Sequence, residues 1–445
     1  MCLRSTLNLV MKVLLLIAGQ STRFWPLADK NFFPICGKSL LEHQVQRLLE
    51  GGCVRKDIVI VGGKHNLQKA QSLLPHLQCI EQEDLSLGMR GALLSSLPSC
   101  GSSPVMIVSG NDVVDSSAYA LLQKSLQKEK LDGVLLAQRV SHYFPGGYIS
   151  LKKNRIIEVR EKPGPGNEPS DLINIVVHLH KNASTLLDAL QKVRGKSEGA
   201  YERALSSLFL SQTYHAVTYT GPWTPVKYPW HLLSASATLL STLSGQKIHK
   251  TASLHPTAVV EGPVVLEEEC RILAHATIVG PCYIGKGTVV ANNALVRQSS
   301  IGEGCVVGYS TEVARSVLHS HIWTHMSYVG DSVIDENVAF GAGSITGNLR
   351  LDEQNIISRI QGEPIDTHSQ KFGTAIGRGS RLGFSTGIQP GVKIGSQCFV
   401  NSGTIVSDDV PDGHFVSLKG GTMEMRPNTA NIPMKKARQQ FLRKI

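Results

Sequence analysis

The chain has 445 residues, of which 42% are hydrophobic and 18% charged, a composition that excludes a disordered protein and suits two or more domains. Its 45 lysines and arginines outnumber its 35 aspartates and glutamates, and the formal net charge of +10 favours anionic partners. The basic residues are spread along the chain without a recognition helix or an aromatic-basic motif, so we expect phosphorylated small molecules and not nucleic acid.

The N-terminus contains Arg4 and a leucine-rich run up to Ala18, a pattern that superficially resembles a secretory signal. However, the apolar stretch of residues 13–17 is too short to span a membrane and leads directly into a glycine turn. We therefore predict a buried first strand and no membrane segment, with residues 1–10 as an extension or a misplaced start. The nine cysteines are scattered without paired spacing, which predicts reduced thiols in a cytoplasmic protein.

Residues 11–245 alternate short apolar strands with helical stretches such as residues 40–49. This alternation predicts an α/β, Rossmann-like domain with a mostly parallel sheet and helices on both faces. The clearest strands are residues 13–17, 58–61, 105–108 and 134–137. Ligands of such sheets bind at the carboxyl ends of the strands.

The turn after the first strand is rich in small residues and ends in a cation, Arg23. Backbone N–H groups of such a turn can cradle a polyphosphate, and the guanidinium can offer paired donors to its oxygens. An ordinary turn between a strand and a helix has the same composition, so the spacing alone leaves both interpretations open.

The second half contains aliphatic residues at regular six-residue intervals, a period that fits neither an α-helix nor a β-strand. They are Val260, Leu266, Ile272, Ile278, Ile284, Val290 and Val296, followed by Ile376, Leu382, Ile388, Ile394, Val400 and Val406. Each step is typical of one side of a three-sided coil whose aliphatic residue points inward. We predict an all-β left-handed parallel β-helix (hexapeptide repeat) over residues 251–420, followed by a basic tail, residues 421–445.

The rhythm stops between Val296 and Ile376, and an interruption in a solenoid predicts a loop or a site. This stretch contains His319, His321 and His325 without a carboxylate or a cysteine at ligand spacing, so we do not expect zinc. A neutral histidine is suited to remove a proton from an amine that attacks a thioester, and this favours acyl transfer.

The first half resembles the sugar-1-phosphate nucleotidylyltransferase family, whose signature is Ala-Gly, one residue, Gly-Thr-Arg, then Pro-Leu, a lysine, Pro-Val and Gly-Lys. The matching residues are Ala18, Gly19, Thr22, Arg23, Pro26, Leu27, Lys30, Pro34, Ile35, Gly37 and Lys38. The resemblance implies that Ala18, Gly19 and Thr22 bind the nucleotide. It also implies that Arg23 and Lys30 hold the triphosphate during catalysis.

The same resemblance implies that Gly88 and Gly91 pack against the base and that Asp112 binds Mg²⁺. The residues implied to recognise the sugar phosphate are Gly147, Glu161, Lys162 and Asn174. Two positions depart from the signature, because Ser21 replaces a loop glycine and Pro225 stands where the family has a second Mg²⁺ aspartate. About three residues are also missing before Lys30.

From Met11 to Gly420 the chain resembles the archaeal-type bifunctional sugar-1-phosphate nucleotidylyltransferases that carry an acetyltransferase half. The resemblance implies that His325 is the general base and that Tyr328, Asn348 and Lys371 contact the sugar phosphate. It also implies that acetyl-CoA lies beside Gly387, Pro390 and Gly391, and that the protein is a homo-oligomer, a trimer. Ala339 replaces a substrate-binding asparagine of the bacterial enzymes.

These observations predict an enzyme of nucleotide-sugar biosynthesis with two activities. One moves a nucleotidyl group from a nucleoside triphosphate to a sugar-1-phosphate, and the other N-acetylates a hexosamine-1-phosphate. The alternatives are a nucleotidylyltransferase whose β-helix is structural or regulatory, and a non-catalytic nucleotide-sugar sensor.

Overall fold

The structure is a computed structural model that describes residues 11–128, 130–195 and 199–429. The chain forms two compact units, and the segment Ser21–Leu40 belongs with the second. The first unit comprises Leu41–Pro225 and the residues before Ser21, and the second adds the chain from Val226 onward. The predicted N-terminal extension and the basic stretch of residues 435–444 lie outside the described residues.

The first unit is built on a nine-stranded sheet. Its strands are β1 (Lys12–Leu16), β2 (Ile58–Gly62), β3 (Gln78–Glu81), β4 (Val105–Ser109), β5 (Gly133–Arg139), β6 (Gly147–Lys152), β7 (Arg155–Glu161), β8 (Leu172–His180) and β9 (Tyr214–Thr218), in the order β3-β2-β1-β4-β8-β5-β9-β7-β6. The helices are α1 (Leu40–Glu50), α2 (Leu67–Leu73), α3 (Gly88–Ser96), α4 (Ser116–Lys128), α5 (Ala183–Lys192) and α6 (Ala200–Leu208). The predicted α/β domain is confirmed.

The sheet is mixed, whereas the sequence pattern predicted a mostly parallel one. Strands β1 to β4 pair in parallel, but β8 runs antiparallel to both β4 and β5. Strands β6 and β7 also form an antiparallel pair. The difference arises because β6, β7 and β8 follow one another without crossover helices, so no parallel connection is required.

The second unit is a three-sided parallel β-helix, and twelve of the thirteen repeat residues are buried. One face contains Gln246–Ile248, Val264–Leu266, Cys282–Ile284, Ser300–Ile301, Val317–Leu318, Val333–Ile334, Ala375–Ile376 and Lys393–Ile394. The next contains Val259–Glu261, Thr277–Val279, Leu295–Arg297, Glu312–Ala314, Tyr328–Gly330, Ile345–Thr346, Gly387–Ile388 and Ile405–Val406. The third contains Ser253–Leu254, Arg271–Ile272, Val289–Val290, Val306–Val307, Ala339–Phe340, Arg381–Leu382, Phe399–Val400, His414–Lys419 and Thr422–Pro427. The predicted hexapeptide-repeat fold is confirmed.

The coil does not stop at Val296, as the sequence pattern suggested. Buried aliphatic residues continue at Ile301, Val307, Val313 and Leu318, in steps of five or six, so a strict six-residue period misses them. The chain leaves the coil only between residues 347 and 374, where Ile357–Ile360 and Glu363–Asp366 form an antiparallel hairpin. The predicted interruption is therefore shorter than the sequence indicated, and its histidines lie in the coil itself.

The segment Ser21–Leu40 packs on the coils of the second unit. The Cys36 backbone N–H donates to Ser300 Oγ at 2.8 Å, and the Trp25 indole N–H donates to Asp412 Oδ1 at 3.0 Å. Part of the predicted nucleotide-binding signature therefore folds with the β-helix. Across the described parts of the chain, no helix has the length and apolar character that a membrane crossing requires.

Candidate functional sites

The turn after β1 leaves its backbone open on one side. A Cβ atom built at Gly19 would meet no atom within 4 Å, and the same holds for Gly88 at the start of α3. Gly88 has φ of +55°, a conformation that strains any other residue. Ala18 and Gly19 come two and three residues after β1 ends at Leu16, at the carboxyl edge where ligands of parallel strands bind. Both glycines therefore permit the close backbone approach that a nucleotide requires.

Three of the predicted sugar-phosphate residues come together around Gly147. A Cβ atom at Gly147 would lie 3.2 Å from Glu161 Oε2 and 3.5 Å from Asn174 Cβ, so a side chain there would fill the space between them. Lys162 follows Glu161 in the chain. The backbone N–H of Lys162 donates to the Gly146 carbonyl at 3.0 Å, and this hydrogen bond fixes the backbone next to Gly147. Residues from three strands thus form one polar cluster.

Glu161 and Gly88 also line one cavity of about 380 Å³, together with Arg90, Tyr201 and Glu202. The predicted base contact and one predicted sugar contact therefore share a cavity. Gly91 lies behind it, because a Cβ atom there would be 2.5 Å from Gln82 Nε2. Gly91 has a packing role in the structure and does not line the cavity.

Asp112 begins a short strand, Asp112–Val114, that pairs antiparallel with Trp223–Pro225. Its side chain is 9% exposed, and its Oδ1 accepts a hydrogen bond from Trp223 Nε1 at 2.9 Å. Pro225 is the register partner of Asp112, so no carboxylate faces it from that strand. One carboxylate fits Mg²⁺ if substrate phosphates and water provide the remaining oxygens, as is usual for this ion.

The cations of the signature lie in the second unit. Thr22 and Arg23 are exposed, and the Arg23 guanidinium carbon is 5.9 Å from the centre of the Tyr228 ring. Lys30 is only 8% exposed, in a short turn whose N-cap is Asp29. Arg23 is therefore available to an anionic ligand, whereas Lys30 is largely enclosed.

A charged network in the coil joins two of the predicted acetyltransferase residues. Asn348 Nδ2 donates to Tyr328 Oη at 3.0 Å and to Asp331 Oδ2 at 2.5 Å. Arg315 donates to both oxygens of Asp331 at 2.6 Å, a bidentate pair that fixes the carboxylate. The Asp331 carboxylate raises the pKa of Arg315 further above its usual value, so the guanidinium is charged.

This network borders a cavity of about 670 Å³ within the second unit. Arg315, Asp331 and Lys371 line it with Trp230 and Phe372. Asp331 offsets the charge of Arg315, so Lys371 leaves these three groups with one net positive charge. This charge and the aromatic walls suit a phosphorylated sugar, whose phosphate needs positive charge and whose ring has apolar faces.

His325 lies at a corner of the coil and is exposed. Its ring makes no hydrogen bond to any residue that the structure describes, and its backbone carbonyl accepts from Ser327 Oγ at 2.8 Å. No hydrogen bond therefore joins the His325 ring to Tyr328 or Asn348. Within the described ranges, no group of three or more potential metal ligands is present.

A groove of about 750 Å³ runs along the coil beside the hairpin. Gly387 and Pro390 line it, and so do the exposed side chains of Ile345, Ile357 and Ile405. Gly391 does not line the groove. A Cβ atom there would lie 2.6 Å from Ile356 Cγ2, so Gly391 permits close packing of the groove wall.

Residues 13–256 match the family model described as a MobA-like NTP transferase domain. A bifunctional sugar-1-phosphate nucleotidylyltransferase/acetyltransferase of Sulfurisphaera tokodaii is 30% identical over 415 residues, covering 92% of this chain and 100% of that protein. The chain belongs to this bifunctional family. The bifunctional protein GlmU of Methanococcus aeolicus is 28% identical over 92% of this chain and 98% of its own length. A solved UDP-glucose pyrophosphorylase complexed with UDP-glucose matches 52% of this chain and 98% of its own, with 20% identity and a TM-score of 0.45.

The predicted membership of the bifunctional nucleotidylyltransferase/acetyltransferase family is thus confirmed, and the departures from its pattern can be placed in the structure. Ser21 has φ of +54°, a conformation that favours glycine, and its Oγ donates to Asp29 Oδ1 at 3.3 Å. Ser21 therefore keeps a backbone conformation that a glycine would adopt without strain. Ala339 is half-buried and pairs with Arg381 in the third face of the coil.

Arg315 is a site residue that the sequence pattern did not reveal. Its backbone N–H donates to the Arg297 carbonyl, and the Asp331 N–H donates to the Ala314 carbonyl, so Arg315 and Asp331 occupy the same corner of successive coils. Their separation of sixteen residues is one turn of the coil here, where sides are shorter than six residues. A sequence prediction that allowed turns of the coil to be shorter than eighteen residues would have placed Arg315 beside Asp331.

Proposed function

We propose that the protein catalyses two reactions of nucleotide-sugar synthesis, nucleotidyl transfer in the first unit and acetyl transfer in the second. The family relationship extends over 92% of the chain and so includes both halves. The observation that carries the proposal is that residues implied by the resemblance to bind substrate lie together in each unit, Gly147 with Glu161 and Asn174, and Tyr328 with Asn348.

In nucleotidyl transfer, a phosphate oxygen of the sugar-1-phosphate attacks the α-phosphorus of a nucleoside triphosphate, and the bond to pyrophosphate breaks. Ala18 and Gly19 would hold the triphosphate at the carboxyl end of β1. The roles that the family resemblance implies for Thr22, Arg23 and Lys30 remain predictions, because these three residues fold with the second unit. The cluster around Gly147 would orient the sugar, because Glu161 accepts and Asn174 donates hydrogen bonds. The base would lie against Gly88.

Asp112 would hold Mg²⁺ together with the substrate phosphates. The ion, when bound, neutralises charge on the phosphates during the displacement. The Trp223 indole fixes the Asp112 carboxylate by donating to Oδ1, and so keeps it in place before the substrate arrives. Pro225 leaves the site with fewer carboxylates than the family pattern, and this makes metal affinity depend on bound triphosphate.

In acetyl transfer, the amine nitrogen of a hexosamine-1-phosphate attacks the thioester carbonyl of acetyl-CoA, and the thiolate of CoA leaves. His325 would take the proton from the amine. Arg315 and Lys371 would bind the phosphate, and the groove containing Gly387 and Pro390 would hold the pantetheine arm. The apolar walls of that groove suit this chain-like, weakly polar group.

We also propose a homotrimer, since exposed apolar residues occupy the same corner as His325 on successive coils. Tyr309, Met326 and Phe384 are each more than half exposed, and they occupy corners of the coil near this histidine. A second copy packed there would cover apolar surface and enclose the histidine, which has no partner among the described residues. Sedimentation analysis tests the trimer directly.

A cytoplasmic location accompanies this proposal. The eight cysteines in the described residues are all free, and burial raises the pKa of the Cys36 and Cys53 thiols to about 12. Such thiols stay protonated and unreactive, as expected in a reducing compartment.

Pyrophosphate release tests the nucleotidyl transfer. The purified protein is incubated with each nucleoside triphosphate and each of glucose-, N-acetylglucosamine-, glucosamine- and mannose-1-phosphate, with Mg²⁺, with and without acetyl-CoA. We expect one strong pair of substrates and a separate release of free CoA with the amino sugar. Failure of every pair would contradict the proposal.

A nucleotide-sugar sensor is the second candidate, and the pairing of Pro225 with Asp112 favours it, because a catalytic metal site there would contain one carboxylate. Asp112→Asn separates the two functions. An enzyme would lose pyrophosphate release, whereas a sensor would show none in either protein while still binding a nucleotide sugar in calorimetry.

A further inference from the structure

A buried chain of hydrogen bonds lies directly behind Asn174 in the first unit. His178 Nε2 is 2.9 Å from Asn174 Oδ1, and His178 Nδ1 is 2.7 Å from Tyr201 Oη. Tyr201 Oη is 3.4 Å from His180 Nε2, and His180 Nδ1 is 2.8 Å from Tyr214 Oη. Four side chains therefore connect the core to Asn174.

The two histidines of this chain are neutral. Both have no exposed surface, and burial lowers the pKa of His180 to about 3 and that of His178 well below its usual value. A neutral imidazole donates from one nitrogen and accepts at the other, so the role of each histidine on one side determines its role on the other. The Ile175 backbone also interacts with the His178 ring, but the side-chain links between Asn174 and Tyr214 can be donated in only two consistent directions.

The end of the hydrogen-bond chain at Tyr214 determines which partner donates in each hydrogen bond. Tyr214 is buried, and within the described residues its hydroxyl has His180 Nδ1 as its sole hydrogen-bond partner. If the chain ran outward from Asn174, the Tyr214 hydroxyl hydrogen would be buried without an acceptor, which is costly. Donation therefore starts at Tyr214, passes through both histidines in the Nε2–H form, and ends with His178 donating to Asn174 Oδ1.

This direction fixes the amide of Asn174. Because Oδ1 is occupied by the His178 N–H, the Nδ2 group remains for another partner, and among the described residues it has none. Asn174 is 8% exposed beside Gly147 and Glu161. Its two N–H donors are thus held at the polar cluster.

We propose that His178 is a positioning residue for nucleotidyl transfer, which directs the Asn174 amide so that its NH₂ group donates to an acceptor oxygen of the sugar phosphate. The inference rests on the proposed function of the first unit. It adds a specificity rule, because the site then selects a hydroxyl or carbonyl oxygen and disfavours a protonated amine, which is only a donor.

Two variants at one position test the proposal. His178→Gln keeps an amide N–H near the place of Nε2, whereas His178→Leu removes the donor. We expect the KM for the sugar phosphate to rise about tenfold in the leucine variant and less than about threefold in the glutamine variant. The KM for the nucleoside triphosphate and the kcat should stay within about twofold in both. Equal sugar-phosphate KM values in the two variants would overturn the proposal.

A matched tyrosine pair separates positioning from packing. Tyr214→Phe removes the hydroxyl that sets the direction and should raise the sugar-phosphate KM about threefold. Tyr119→Phe is the control, since the Tyr119 hydroxyl is buried in the same unit without a partner among the described residues. We expect no change in KM for this variant. An unchanged KM in Tyr214→Phe would contradict the assigned direction.

A measurement without turnover keeps this inference separate from the proposed function. Solid-state NMR of ¹⁵N-histidine-labelled protein distinguishes the two neutral tautomers, and loss of a signal in His178→Gln assigns His178. An Nε2–H form supports the chain as described, and an Nδ1–H form overturns it. If the wild type shows no pyrophosphate release, the proposed function fails while this result still decides the orientation of Asn174.

Discussion

The two units assemble their sites in different ways. In the coil, Arg315 and Asp331 are neighbours because they are one turn apart, so contacts follow from a nearly constant sequence separation. In the α/β unit, Gly147, Glu161 and Asn174 meet because β6, β7 and β8 lie together in a mixed sheet. A solenoid site is therefore local in sequence, whereas a sheet site depends on the order of the strands.

The largest expected effect is the loss of acetyl transfer in a variant that keeps nucleotidyl transfer. We expect His325→Ala to lower acetyl transfer by about 10²–10⁴-fold, because a general base contributes that much, and to leave pyrophosphate release unchanged. Assays of free CoA and of pyrophosphate on the same preparation measure both. His321→Ala, a change at another coil corner, is the control, and a parallel loss in that variant would argue against a base at His325.

A charge pair on a strand of the coil tests how much one buried cation contributes to stability. Lys393 is 1% exposed, and its ammonium pairs with the Asp409 carboxylate at 2.5 Å. Asp409→Ala leaves a buried cation unpaired and should lower the free energy of unfolding by about 3 kcal/mol. Denaturant titration measures this value, with the exposed Asp408→Ala as the matched control. Equal stabilities of these two variants would refute the prediction.

Acid should weaken the first unit through His180. Burial lowers its pKa in the folded protein to about 3, so its stabilising contribution is complete above the unfolded value near 6.5 and is lost as the pH falls toward 3. Between about pH 6.5 and 5 this loss amounts to about 2 kcal/mol. In His180→Gln, the free energy of unfolding should therefore fall by about 2 kcal/mol less over this pH range than in the wild type. An unchanged slope would show that folding does not lower the pKa of His180.

The smallest effect concerns the loop at Ser21. Its positive φ costs about 1 kcal/mol relative to glycine, although the bond to Asp29 offsets part of this. We expect Ser21→Gly to raise the free energy of unfolding by about 0.5 kcal/mol. Thermal unfolding measures the change, and Ser21→Ala, which keeps the strain and removes the bond, should be destabilised.

The sequence predicted the coil better than the sheet, and the reason is physical. Burial of one aliphatic residue per side gives a period that is visible without any knowledge of neighbours, as for Ile278 and Ile394. The period failed between Val296 and Ile376 because five-residue sides shift its phase. Arg315 was missed for the same reason.

The polar clusters were predictable only through family resemblance. Nothing in the local pattern around Glu161 or Asn174 indicates that both lie beside Gly147, because this requires the antiparallel pairing of β6 with β7 and with β8. The sequence also does not predict the hydrogen bonds behind Asn174, since His178 and His180 look like ordinary strand residues. Long-range strand order, not composition, creates these sites.

The packing of residues Ser21–Leu40 on the coil has a consequence for engineering. A shortened protein ending near residue 245 would lose Ser300 and Asp412, the hydrogen-bond partners of Cys36 and Trp25. Arg23 lies on the same segment, two residues before Trp25. Exchange of the β-helix for a foreign one would therefore also remove the surface on which residues Ser21–Leu40 pack, and a working exchange would have to restore that surface.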